Sequence, residues 1–398
     1  MSLFFSKKML ICFLLGISSG LPLLAIGGTL QAWLKDSNVS IENIGLLTLT
    51  GLPYTLKFLW APLIDFYVPL KIGRRKSWML ITQILLIIFF LILAFSDPSK
   101  SLLSISIIAL IIAVFSATQD IALDAYRRDF LEVNELGLGS SLFVNGYRIG
   151  MIISGALALM LADYYSWQSA YLLIAFSFII GLVTTIFSDE PENFNSPKTI
   201  KASVIEPIKD FFSAKNAWYY LLFILLFKVG DSMASAMTTP YILTMGFTKT
   251  DYAIIAKSLG MGATILGGLL AGFLLLKISI NKALWIFGFF QAISTLFFIL
   301  LISFPGNKNI LSGVVTFEFL AGGAGATVLT AYMSSLTNKA FSATQFALLS
   351  SLLGVPRVIF GAYTGYMVSA FGWSWFFIFC TLVAVPGMLL LFKIARWK

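Results

Sequence analysis

The sequence predicts an all-α membrane protein with twelve transmembrane helices in two six-helix bundles. Composition, the length of the apolar runs and the placement of basic residues predict it. The chain has 398 residues, 59% of them hydrophobic and 11% charged. Soluble globular proteins carry about 25% charged residues, so this much apolar surface does not fit inside an aqueous domain. A transmembrane helix takes roughly 20 apolar residues. The runs here are long and continuous, unlike the short alternating strands of a membrane barrel.

Taken in order, span 1 is expected over Met9–Leu34. It carries Ser18-Ser19-Gly20-Leu21-Pro22 and Gly27-Gly28-Thr29, small residues and a proline that loosen a helix and let backbones approach. It is too long for a signal-peptide core and reads as an anchor. Gly16-Ile17-Ser18-Ser19-Gly20 fits a nucleophile elbow in letters only, because it lies in a membrane helix of a chain without histidine. Span 2 is expected over Asn43–Val68 and span 3 over Trp78–Phe95. Between them Asp65 ends one helix and Gly73-Arg74-Arg75-Lys76 opens the next. Asp65 can pair with Arg75 or cap a neighbouring helix end. We take Asp65, Arg74 and Arg75 as candidate gating residues; plain basic anchoring at the membrane surface is the competing reading.

Span 4, over Leu102–Tyr126, carries Gln119, Asp120 and Asp124. The two carboxylates are i,i+4 and share a face, which must point away from lipid. Span 5, over Leu138–Tyr164, carries Asn145 and Arg148, and Arg148 is the expected partner of Asp124. A purely structural salt bridge would satisfy the same pattern. Span 6 covers Trp167–Phe187. The polar Ser188–Asn216 segment reads as a solvated linker, part of which can form a surface amphipathic helix. It divides the chain into a six-helix bundle over 1–187, a cytoplasmic linker over 188–216 and a second bundle over 217–398.

Span 7 (Ala217–Met245) places Lys228 and Asp231 at i,i+3, close enough to pair. Span 8 (Tyr252–Leu276) holds Lys257, and span 9 covers Ala283–Phe304. Span 10 (Leu311–Leu336) holds Glu318, which has no neighbouring cation in sequence, and Gly322-Gly323-Ala324-Gly325, a packing face rather than a phosphate loop. Span 11 (Ser342–Phe371) holds Arg357, and span 12 covers Trp373–Ile394. Trp33, Trp60, Trp167, Trp218, Trp373 and Trp375 lie near helix ends, as interfacial belt residues do. Intramembrane charge is a functional-site hypothesis by default. Asp120, Asp124, Asp231 and Glu318 are therefore the candidate proton-coupling groups.

The net charge of +9 follows topology. Only Lys35, Lys100, Lys249 and Lys308 fall in loops on one side; the other loop and tail basic residues fall opposite. This places both termini in the cytoplasm and makes a nucleic-acid partner unnecessary. Absent histidine removes imidazole catalysis and imidazole metal ligands. Cys12 and Cys380 sit in apolar stretches with no metal-ligand spacing. No Walker motif is present. An enzyme is therefore not expected, nor a cofactor or a metal.

The halves repeat weakly. Ala125-Tyr126 recurs as Ala331-Tyr332, Gly155-Ala156 as Gly361-Ala362, and Trp167 as Trp373. With six helices per half, this suggests the parallel repeats of a major facilitator protein. Blocks in the first half are more specific. They are Gly20-Leu21-Pro22, Gly28-Thr29-Leu30-Gln31-Ala32-Trp33, Lys57-Phe58-Leu59-Trp60-Ala61-Pro62-Leu63-Ile64-Asp65 and Gly73-Arg74-Arg75. They continue in Ala117-Thr118-Gln119-Asp120-Ile121-Ala122-Leu123-Asp124-Ala125-Tyr126, in Gly146-Tyr147-Arg148-Ile149-Gly150-Met151 and in Ser154-Gly155-Ala156-Leu157-Ala158-Leu159. In these the chain resembles the AmpG-type muropeptide permeases, a branch of the major facilitator superfamily. Phe66 stands where the fuller superfamily loop has an arginine, and the second half matches only loosely. Acetyl-coenzyme A transporters share the Gln119–Asp124 stretch.

The resemblance implies proton-driven import of anhydro-muropeptides, GlcNAc linked to 1,6-anhydro-MurNAc with or without peptide, across the bacterial inner membrane for cell-wall recycling. It also implies a charge latch on the cytoplasmic side. Gln119, Asp120, Asp124 and Arg148 carry over at matching positions. Carboxylates on the peptide stem could be met by Arg148, Lys228 or Arg357, and sugar hydroxyls or amides by Gln119 and Asn145. Partners are then a small molecule, protons and the bilayer, and a monomer would suffice. The alternatives are a carrier of another anion, such as acetyl-coenzyme A or a peptide, and a non-transporting membrane sensor or scaffold.

Overall fold

Helix starts follow from serines that precede apolar runs. In the computed structural model Ser6, Ser101, Ser166 and Ser279 each accept a bond from the backbone N–H three residues on, which satisfies one of the orphan donors of a helix N-terminus. The structure describes residues 6–39, 47–98, 100–191, 199–248, 251–356 and 360–397. Ten helices among them are long and apolar enough to cross a membrane. The remaining two of the expected twelve are spans 2 and 11, and both depart from continuous helices.

Span 2 is broken rather than continuous. A 3-10 turn over Leu47–Gly51 leads to helix Leu52–Leu56, a 3-10 turn Lys57–Leu59 and helix Ala61–Phe66. Pro53 and Pro62 lie in the first turns of their short helices, where a missing N–H costs least. Residues 40–46, the start of the expected span, lie outside the described residues. Span 11 begins as helix Ser342–Leu352, and helix runs again from Gly361 to Ile394. Gly372, at φ 78° and ψ 170°, divides that last stretch where spans 11 and 12 were expected to meet. Span 4 extends a turn further than expected, to Phe130. The 188–216 segment is less loop-like than a solvated linker: Ile200–Ser213 is helical, with Ser203 and Phe211 buried and Val204, Ile205 and Ile208 exposed.

Two compact units emerge. Unit 1 comprises Met1–Glu132, Leu142–Lys209 and Thr337–Leu348; unit 2 comprises Val133–Ser141, Asp210–Leu336 and Leu349–Lys398. Each thus differs from a simple split of the chain by one exchanged segment.

Unit 1 is drawn together by glycines. A Cβ on Gly16 or Gly20 of span 1 would overlap the backbone oxygens of Phe143 or Tyr147 of span 5. Gly146 and Gly150 would likewise overlap the oxygens of Phe13 and Ile17. Without a hydrophobic force between helices in lipid, such close backbone packing is what holds them. Trp33 is buried, with its ring centroid 6.1 Å from that of Trp167, and Tyr171 donates to the Ala25 carbonyl at 3.1 Å. In unit 2 Trp373 packs on Tyr241 at 4.8 Å, and Tyr241 donates to the Phe298 carbonyl at 2.6 Å. Trp33 is therefore a packing residue rather than the belt residue expected, while Trp167 and Trp373 are half-buried at helix ends. Trp218 and Trp375 remain exposed, as a belt requires.

Candidate functional site

In unit 1, span 4 carries its polar stretch inward. Gln119 is fully buried and its Nε2 donates to Ser18 Oγ at 3.1 Å. Ser19 Oγ donates to Asp120 Oδ1 at 2.6 Å. Consecutive serines of span 1 thus hold consecutive polar residues of span 4. Asp124, one turn on, has Arg127 at 3.0 Å and Lys57 at 3.9 Å. The expected partner Arg148 is not the cation that meets it: Arg127 stands i,i+3 from Asp124 on the same helix, and the break in span 2 brings Lys57 in. Lys57 also acts electrostatically on Asp120, and Asp120 and Tyr147 both act on Tyr54. Tyr54 donates to Ser116 Oγ at 2.8 Å and Trp60 Nε1 to Thr118 Oγ1 at 3.1 Å. Asn145 is buried and Arg148 half-buried on span 5.

Lys57, Tyr54, Ser19 and Arg127 were not singled out from the sequence. Lys57 left a signal, an isolated cation inside an apolar run, and Ser19 could be found as the neighbour of Ser18. Arg127 gave none, because it reads as a loop residue until span 4 is seen to continue through it. Its guanidinium is 1% exposed and lies over the rings of Phe143 at 4.4 Å and Phe346 at 5.3 Å, where cation–π attraction offsets part of its desolvation.

The Asp65–Arg75 region is a second, denser cluster of unit 1. Asp65, Arg74 and Arg75 are all buried. Arg75 spreads its fork over two carboxylates: its Nε meets Asp129 Oδ2 at 2.8 Å and its NH2 meets Asp65 Oδ1 at 2.8 Å. The same NH2 donates to Ser342 Oγ at 2.8 Å. Asp65 also accepts from the backbone N–H groups of Ala343 at 3.3 Å and Thr344 at 2.8 Å, and from Thr344 Oγ1 at 2.7 Å. It therefore does both things its position allowed, pairing with Arg75 and capping the N-terminus of the Ser342–Leu352 helix, where the helix dipole favours an anion. Arg74 reaches the Asp65 carbonyl at 3.2 Å and Asp129 at 3.7 Å. Arg128 clamps the Thr337 carbonyl with Nε and NH2 at 3.1 and 2.9 Å.

Glu190 completes the cluster. It accepts from the N–H groups of Arg75 at 2.8 Å and Lys76 at 3.0 Å, capping span 3. Gly73 has φ 114°, and a Cβ there would collide with the Glu190 side chain, so both the turn and the cap require glycine. Asp129 and Glu190 are functional candidates that sequence reading missed. Their loops look solvated, and nothing local marks the partners.

In unit 2, Lys228 Nζ meets Asp231 Oδ2 at 2.9 Å, the pairing their spacing predicts. Glu318 is buried at 7% exposure. Asp231 and Lys228 act on it electrostatically, and the Ser294 hydroxyl donates to the Gln291 carbonyl at 3.0 Å. The isolated carboxyl of span 10 thus meets a carboxylate and a cation from span 7. Arg357 lies outside the described residues. Among the described residues no three His, Cys, Asp or Glu side chains gather to hold a metal ion.

Comparison with known proteins agrees with this architecture. The model of the Major Facilitator Superfamily matches residues 9–361. The chain is 42% identical to the Anhydromuropeptide permease of Escherichia coli K12, over 98% of this chain and 80% of that protein. It is 37% identical to the Putative transporter AmpG 4 of Rickettsia felis, over 95% and 94%. Among solved structures, the major facilitator proton:xylose symporter XylE with bound 6-bromo-6-deoxy-D-glucose superimposes with a TM-score of 0.72 at 13% identity, over 98% of this chain and 95% of its own. That likeness is one of fold. The chain is a multi-pass membrane transporter of the major facilitator superfamily and belongs to its AmpG-type permeases.

Proposed function

We propose that this chain imports anhydro-muropeptides, GlcNAc-1,6-anhydro-MurNAc with or without a peptide stem, across the bacterial inner membrane by proton symport and alternating access, for peptidoglycan recycling. The observation that carries it is the 42% identity to an Anhydromuropeptide permease over 98% of this chain. The chemistry supports it. A muropeptide offers hydroxyls, amides and carboxylates. In unit 1, Gln119, Asn145 and Arg148 carry amide and guanidinium groups of the kind that would receive them. In unit 2, Lys228 adds a cation, though Asp231 already engages it. Arg357 adds another by sequence position.

Proton coupling needs an acid whose two conformational states bind the proton differently. Asp120 is held by one serine hydroxyl and lies near Lys57 and Asp124. Glu318 faces Asp231 and Lys228. These two carboxyls have no direct ion pair among the described residues, whereas Asp124 and Asp231 are held by cations; we rank Asp120 and Glu318 first as proton carriers. Asp65, Arg74 and Arg75 form the cytoplasmic latch, with both termini on that side.

The test is uptake into proteoliposomes with an acidic exterior. Labelled GlcNAc–anhydro-MurNAc-tripeptide is expected to accumulate, and a protonophore to abolish accumulation, while acetyl-coenzyme A in a parallel arm is not taken up. Absence of muropeptide uptake by folded, correctly oriented protein refutes the assignment.

A further inference from the structure

Span 10 presents Glu318, Gly322 and Gly325 on one face, at i, i+4 and i+7. The two glycines leave that face open to side chains of other helices. A Cβ on Gly322 would lie 3.7 Å from Asp231 Oδ1 of span 7, and one on Gly325 would overlap Gln291 Oε1 of span 9. Asp231 Oδ2 is already engaged by Lys228 at 2.9 Å, so Oδ1 is the oxygen left over. Gln291 is 5% exposed, and neither Oε1 nor Nε2 has a hydrogen-bond partner among the described residues. Burying a carboxamide in that condition is costly.

Gln291 and Asp231 line one cavity, with Thr295, Gly230, Gly288 and Cys380 also on its wall. Its volume is about 10 Å³, the least that holds a single water molecule. A water is stable in such a place only with several polar partners. The wall here includes the Gln291 carboxamide, the Asp231 carboxylate and the Thr295 hydroxyl, the last already bonded to the Ala292 carbonyl and to Thr381.

We propose that this cavity binds one ordered water that joins the Gln291 carboxamide to Asp231 Oδ1, making Gln291 a positioning residue for the Asp231–Glu318 pair. The site stands on geometry; its role rests on the reading that transport is proton-coupled. The titratable and charged groups around Asp231 among the described residues are Lys228 on its own helix, Glu318 on span 10 and Cys380 on span 12. Span 9 contributes Gln291 and Thr295 to the wall. The water donates to Asp231 and holds its charge beside Glu318. Replacing Gln291 by leucine fills the cavity with methyl groups and removes the donor. Without that donor the polar surroundings shared by Asp231 and Glu318 change, so the pH midpoint of uptake shifts.

Two readouts test this on the full chain. A crystal structure at a resolution that shows waters is expected to place one within hydrogen-bond distance of Gln291 and Asp231. A map that resolves waters elsewhere in the protein and none here overturns the site. In proteoliposomes Gln291→Leu is expected to shift the pH midpoint of uptake, and Gln291→Asn, whose shorter amide leaves room for water, to return it toward the parent value. An unchanged midpoint in Gln291→Leu overturns the positioning role. The water is seen without any transport. A parent protein that shows it but moves no substrate would sink the transport reading and leave the site intact.

Discussion

Asp65→Asn preserves the shape of the side chain and removes its charge. The carboxylate accepts from Arg75, from the N–H groups of Ala343 and Thr344, and from the Thr344 hydroxyl. An asparagine keeps one acceptor oxygen and turns an NH2 toward the remaining donors. Arg75 is not orphaned, because Asp129 still holds its Nε at 2.8 Å. The cost therefore falls at the low end of the ~3–5 kcal/mol for cutting a buried ion pair. Lost charge-assisted bonds, about 1.5–3 kcal/mol each, and the helix-terminus charge are parts of the same loss and do not add in full. A net cost of about 3 kcal/mol results. Most of the donors belong to residues 343 and 344, so the loss is felt where the Ser342–Leu352 helix begins. Hydrogen exchange read by mass spectrometry is expected to show protection at those amides falling by roughly a hundredfold, since 1.36 kcal/mol is a factor of ten. A folded Asp65→Asn protein whose residues 343–344 exchange within about threefold of the parent would refute the capping argument and its magnitude.

Gly20→Val places methyl groups against the Tyr147 backbone oxygen and is expected to cost at least about 2 kcal/mol of stability; an unchanged melting temperature in detergent would deny that spans 1 and 5 meet at this glycine. Asp120→Asn is expected to abolish accumulation driven by a pH gradient while leaving substrate exchange, and undiminished accumulation would remove Asp120 from coupling. Asp124→Asn leaves Lys57 and Arg127 facing each other without their shared anion, so it should lower stability as well as accumulation, and Asp124→Asn with Lys57→Met should recover stability first. Asp251 is held below the ordinary carboxylate range by its bond from Lys308 and then by the Thr248 hydroxyl. Its contribution is therefore present above the unfolded value and lost as pH falls through the lower folded one. The melting difference between the parent and Asp251→Asn should hold from about pH 5 to 7 and shrink below about pH 4; a difference that grows in acid would contradict the assignment.

Much of the architecture was legible because membrane insertion depends on composition and run length, both local properties. Spans 1, 3 to 10 and 12 follow the apolar runs. Gly372 divides the last stretch where the sequence placed a boundary. Span 2 is continuous in hydrophobicity but broken in structure, with Pro53 and Pro62 each opening a short helix. Pairs within one helix were also legible: Lys228 and Asp231 meet because three residues make nearly one turn. Asp124 shows the limit. Arg148 was the reasonable partner from sequence, yet the anion meets Arg127 on its own helix and Lys57 from a broken one.

Composition and run length specify a twelve-helix membrane protein, its apolar faces and which polar residues turn away from lipid. Tertiary structure alone decided whom those residues meet. Asp65 and Thr344 lie 279 residues apart, and Gln291, which shares a cavity wall with Asp231, takes its place because Gly325 leaves room for its amide. The physical reason is that helical periodicity fixes the direction in which a side chain points along one helix. The neighbour it finds is set by which backbones can approach, and that is decided by glycines, prolines and helix ends distributed over the whole chain.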